Sequence, residues 1–145
     1  MRKQHAVLAI SAVFLSAALM ASYFQSEEPA IKATDVLTWD CESAIYKPES
    51  ITLTCADGGE LIHSIVWANW TSKSASGAGV YSINLCEPNC AEGKRLEEPV
   101  EVVLSNPEQI SKKFVYRTLM FKTLSGKNLP QESTDEGRWE IGNQK

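Results

Sequence analysis

Histidine is scarce in this chain. There are two among 145 residues, and beyond residue 21 only His63 remains. A zinc centre asks for four Cys or His ligands in paired short spacings, and no such set is present, so no metal is expected. No G-x-S-x-G elbow surrounds a serine, and no EF-hand loop orders the acids. No catalytic residue and no cofactor is assigned on this basis. Basic residues are outnumbered, 14 against 18, for a net charge of −4. A polyanion gains nothing by counterion release on such a surface, so nucleic acid is excluded as a partner. The same balance repels anionic lipid. No internal repeat is visible, and one domain is what this length allows.

What is present begins at the N-terminus. Arg2 and Lys3 precede an uncharged run from Ala6 to Ala21, the pattern of an export signal. Cleavage near Ala21 is expected. The alternative is an uncleaved anchor over residues 6–24, nearly long enough to span a bilayer and the one route to membrane attachment. No cysteine follows the run to accept a lipid. Residues 1–21 thus read as signal or anchor helix, 22–34 as a polar linker and 35–142 as the fold. Removal of 1–21 leaves 12 basic and 18 acidic residues, a net charge of −6. The expected location is extracellular or at the cell surface.

All four cysteines, Cys41, Cys55, Cys86 and Cys90, follow the signal. An even count in an oxidising compartment reads as disulfides. Four cysteines allow three pairings, which the sequence alone does not decide. Neighbouring strands would bring Cys41 to Cys55, and Pro88 with Asn89 lets Cys86 bend back to Cys90; this pairing is favoured. A redox pair would have a two-residue spacing at a helix start. Here the spacing is three and no helix follows.

Two-residue alternation dominates the rest, which argues for strands. It runs through "VLTWDC", "ITLTC", "LIHSIVW", "GVYSINLC", "PVEVVL" and "FVYRTLMFKTL". Asp57-Gly58 marks a hairpin. "SASGAG" reads as a flexible connection, "SNPEQISKK" as a loop or short helical turn, and Trp139 with Ile141 as a closing strand. The expected fold is all-β: a compact antiparallel sandwich or barrel of six to seven strands. Glu92, Glu97, Glu98 and Glu101 around Pro99 read as a guarded edge strand.

Few side chains suggest a site. Asp57 with Glu60 could pair as acids, but an Asp in a turn commonly serves backbone hydrogen bonds. Trp67 and Trp70, three apart, face opposite sides of a regular strand. An exposed Trp70 beside Tyr81 would be a stacking platform for a sugar or a contact for a protein. A bulge between the tryptophans would instead put both in the core, and this reading is preferred. Trp70, Tyr81 and Asp57 are the binding candidates. His63 next to Ser64 reads as a surface residue rather than a triad member.

The order Cys55-Ala-Asp-Gly58, Trp67-x-x-Trp70, Ala75 to Gly79, Asn84, Cys86 to Gly93 and Pro99-Val100 resembles a group of small exported actinobacterial proteins. The resemblance spans about residues 50–105. It implies an exported β-domain with structural cysteines and carries over no catalytic residue. The function expected is non-enzymatic binding of an extracellular protein or cell-envelope component such as a wall glycan. A small hydrolase using carboxylates such as Asp57 or Asp40 is one alternative. An inhibitor of an extracellular enzyme, presenting the Cys86–Cys90 ring, is another.

Overall fold

The computed structural model describes residues 30–142. The expected signal helix, 1–21, and residues 22–29 of the linker lie outside the described residues. The folded unit starts at Ile31. Ile31 and Ala33 pack on the core, so the fold begins a few residues before the expected boundary at 35. Among the described residues no helix is long and apolar enough to cross a membrane.

The fold is all-β. A 3-10 turn at Ala33–Asp35 leads into β1 (Val36–Asp40), β2 (Ser43–Ile45), β3 (Ile51–Thr52), β4 (Glu60–Trp70), β5 (Ala75–Asn84), β6 (Arg95–Ile110), β7 (Lys113–Thr123) and β8 (Glu136–Glu140). They form one sheet in the order β2-β1-β7-β6-β5-β4-β3, with β8 also on β7. The expected purely antiparallel arrangement is broken once. β1 runs parallel to β7, with Val36 beside Phe114 and Leu37 beside Val115. One edge of β7 is fully taken by β6. Its other edge is shared, β1 at residues 114–115 and β8 at 118–122.

The sheet curls into a half-barrel because its two flanks are tied together. β1 is next to one end of the strand order and β3 is at the other, yet the Thr52 N–H donates to Asp40 Oδ1 at 2.9 Å. One residue further, Cys41 is bonded to Cys55. The Trp70 Nε1–H of β4 donates to the Val36 carbonyl of β1 at 3.0 Å. The concave face holds the core: Ile62, Ile65, Tyr81, Val100, Val102, Leu104, Leu119 and Phe121 among others. Val100, Val102 and Leu104 alternate with more exposed neighbours along β6, the period-two pattern of a sheet with one buried face. Each such buried aliphatic side chain stabilises the fold by about 1.5–3 kcal/mol.

Three sequence expectations change here. "SASGAG" is mostly the start of β5, pairing with both β4 and β6. "SNPEQISKK" is mostly strand, with Ser111 and Lys112 making a tight turn between β6 and β7. Of the acidic stretch around Pro99, Glu92 lies in the loop before β6, Glu97 and Glu98 lie in the part of β6 with one edge unpaired, and only Glu101 lies where β6 is central. The first residues of β6 pair only with β5 and its last only with β7, so Pro99 and Pro107 both sit where one ladder is missing, as a residue without an N–H requires.

Candidate functional site

The tryptophans settle first. The β4 ladder slips between Trp67 and Asn69, and that extra residue turns Trp67 and Trp70 to the same side. Their rings meet edge to face at 4.9 Å, and Trp70 also meets Tyr46 and Tyr116, each at 5.3 Å. Trp70 is 8% exposed, so the stacking platform considered for it does not form. Both rings face the core, as a bulge between them requires.

Tyr81 is also buried, 1% exposed, but its hydroxyl reaches a cleft. The ring stacks on Phe121 at 5.3 Å, and the O–H donates to Glu60 Oε1 at 2.7 Å. Burial, then the bond to Glu60, then the charges of Glu60 and Glu132 push the Tyr81 phenol well above its ordinary range. The cleft holds about 200 Å³ between β8, the segment before it, the start of β4 and the end of β5. Phe121, Leu129 and Trp139 form apolar walls, and Glu60, Glu132, Glu136 and Arg138 supply charge. Arg138 turns to Glu140, with Nη2 2.8 Å from Oε1, so the guanidinium at the cleft is already partnered. Gly137 lets β8 approach, since a Cβ there would run into the Phe121 ring.

The sequence hinted at this site only weakly. Glu60 stood beside Asp57 in "CADGGEL", but the two do different work. Asp57 is exposed in the β3–β4 turn, and its Oδ1 accepts from the Gly59 N–H at 2.9 Å. That bond, followed by one from the Thr54 side chain, lowers its pKa, the opposite of what a general acid needs. Asp40 is likewise occupied at the flank tie with Thr52. Glu132 and Glu136 lie in a turn-rich, charged stretch with no periodicity, and only their nearness to Trp139 in sequence could have flagged them.

The second disulfide, Cys86–Cys90, closes the expected small ring. No cysteine is free. The ring sits in an exposed loop between β5 and β6. Asn84 clamps its base: Oδ1 accepts from Cys86 N–H at 3.0 Å, and Nδ2 donates to the Cys90 carbonyl at 2.8 Å. Asn89 Oδ1 caps the far side by accepting from Ala91 and Glu92 N–H, each at 3.0 Å. Gly93 passes so close that a Cβ would overlap Asn84 Oδ1. Among the described residues no cluster of His, Cys, Asp and Glu has the arrangement to hold a metal ion.

No protein-family model, no curated protein and no solved structure matches this chain.

Proposed function

We propose that the protein is an exported binding module that takes a basic, partly apolar group of an extracellular protein or cell-envelope component into the Tyr81–Glu60 cleft. The N-terminal pattern and two disulfides, which persist in oxidising compartments, support export. The motifs from Cys55 to Val100 support membership of the exported actinobacterial group that the sequence resembles. The observation that carries the binding reading is the cleft itself: a concave site with aromatic walls and a few convergent polar groups is where ligands are held. A cation on an aliphatic stem would meet carboxylates with its head and rings with its stem.

The test is an NMR titration of the full chain with n-butylammonium and with a lysine-bearing peptide. We expect saturable shifts of the Trp139 indole N–H, weakened in the Glu132→Gln/Glu136→Gln double variant. Shifts that spread over the surface and never saturate would remove the reading.

A second reading, inhibition of an extracellular enzyme, is favoured by one observation. The Cys86–Cys90 loop is exposed and already held in shape by its ring and by Asn84 and Asn89, which lowers the ordering cost of binding. It predicts that the loop blocks at least one member of a panel of extracellular proteases and stays uncut; a panel left wholly uninhibited counts against it.

A further inference from the structure

On the convex side of the sheet, away from the cleft residues, a second register break occurs in β4, between His63 and Val66. Ser64 takes a positive φ of 53° there, a conformation that costs a non-glycine residue energy and that recurs at functional sites. The kink has a consequence for side chains. On a regular strand adjacent residues point to opposite faces, so Ser64 and His63 could not meet. Here His63 Nδ1 lies 3.0 Å from Ser64 Oγ, and His63 Nε2 lies 3.3 Å from Glu97 Oε1 on β6. A serine, an imidazole and a carboxylate thus stand in one hydrogen-bonded row.

Glu97 is itself held. The Ser82 hydroxyl is 3.4 Å from the same Oε1, and Ser82 Oγ accepts from Arg95 Nε at 2.8 Å. Arg95 in turn donates to the Gly59 carbonyl at 3.2 Å. The chemistry of the row fixes its polarity. A carboxylate has no hydrogen to give, so Nε2 carries the proton toward Glu97 and Nδ1 keeps its lone pair for the Ser64 O–H. That is the arrangement in which an imidazole acts as base for a serine, and such constellations are recognised by geometry rather than by position in the sequence.

We propose that Ser64 is a nucleophile, with His63 its general base and Glu97 the residue that positions the imidazole, acting on ester carbonyls presented at the open sheet surface. In the first step the Ser64 Oγ–carbonyl carbon bond forms, the Ser64 proton passes to His63 Nδ1, and the carbonyl π electrons move to oxygen. Collapse of that adduct breaks the ester C–O bond, and the leaving alkoxide or phenoxide takes the proton from Nδ1. Water then attacks the acyl-serine, giving its proton to His63. The acid leaves and Ser64 recovers its proton. Ser64 is exposed and is not part of the described clefts, which suits a small activated ester or one displayed on a larger molecule, not a deeply bound substrate.

The experiment treats the full chain with a fluorophosphonate probe and with p-nitrophenyl acetate, and locates adducts by peptide mass spectrometry. The expected result is a single adduct on Ser64, with acetylation slowed by about 100-fold or more in His63→Ala, the usual contribution of a general base. Imidazole added to His63→Ala restores part of the rate. Ser64→Gly, which suits the positive φ and keeps the fold as read by circular dichroism, gives no adduct. For Glu97 the readout is the ¹⁵N spectrum of His63: Nε2–H in the parent, a tautomer mixture in Glu97→Ala. No adduct on Ser64, adducts on other residues only, or a Ser64 adduct that forms equally fast in His63→Ala would overturn the proposal.

Discussion

The two buried tyrosines lie toward opposite ends of the strands and hand their hydroxyl protons to different acceptors. Tyr116, near the start of β7, meets Trp70, whose ring also touches Trp67 and Tyr46, and donates to the Thr71 carbonyl. Tyr81, near the end of β5, stacks on Phe121 and donates to the Glu60 carboxylate beside a cavity. A backbone carbonyl carries no charge to titrate and cannot swing away. A carboxylate can be protonated, rehydrated or drawn to an incoming cation. The aromatic end is therefore a fixed closure, and the acidic end is the part of the fold that can respond to what is dissolved around it.

The largest effects fall on the closed end. Trp70→Ala removes a ring that touches three other aromatics and the indole N–H that ties β4 to β1. The expected loss is about 3–5 kcal/mol, read from urea unfolding. Breaking the flank tie with Cys41→Ala/Cys55→Ala frees a 14-residue separation, with an expected loss of about 3 kcal/mol. The Cys86→Ala/Cys90→Ala pair frees a separation of only 4, and its effect is smaller, about 2 kcal/mol in the same chain-entropy treatment. Equal losses for the two pairs would mean that loop length does not set what each disulfide contributes.

How much of this was legible follows from what local patterning can encode. Alternation at Val100, Val102 and Leu104 exposed the core face of β6, and Asp57-Gly58 exposed the β3–β4 turn. Chain reach favours the pairing of Cys41 with Cys55 and of Cys86 with Cys90 without deciding among the three possibilities, and the structure has that pairing. The parallel contact of β1 with β7 was not legible, because Val36 and Phe114 are 78 positions apart and nothing near either one names the other. The cleft was hidden for the same reason. Glu60, Glu132 and Glu136 become neighbours only when β8 returns to β7. His63 beside Ser64 reads as a surface residue because no G-x-S-x-G elbow surrounds the serine; the row with Glu97 depends on a bulge in β4 and on a residue 34 positions away, and neither has a local signature.

The tyrosine comparison itself is broken or sharpened by removing one oxygen from each. Tyr116→Phe leaves the Thr71 carbonyl without its buried donor, and about 1–2 kcal/mol is the expected loss. Tyr81→Phe leaves a carboxylate that water can reach through the cleft, so the loss is smaller, about 0.5 kcal/mol. On the proposed reading of the cleft as a cation site, the same Tyr81→Phe change weakens binding there, while Tyr116→Phe leaves it unchanged. A Tyr81→Phe loss as large as that of Tyr116→Phe would show that the cleft end is as dry as the aromatic end.

Alkaline titration separates the two ends without relying on an energy difference. Burial pushes the Tyr116 phenol up to about 12, and the Tyr81 phenol is raised as well, by burial and then by Glu60. In the unfolded chain a tyrosine ionises near pH 10. Below that pH both states keep the proton, and the native preference is fully present. Above it the unfolded phenols ionise while the folded ones do not, so stability falls as pH rises from about 10 toward 12. Unfolding midpoints should drop across that window, and less so in either Phe variant. Glu60→Gln then discriminates between the ends. It removes a neighbouring negative charge from Tyr81 and none from Tyr116, so absorbance near 295 nm should show one buried phenol ionising earlier and the other unmoved. Burial is the larger cause at Tyr81, so its titration moves toward the ordinary value without reaching it. Two phenols that move together, or neither moving, would mean that Glu60 does not set the charge at the cleft floor.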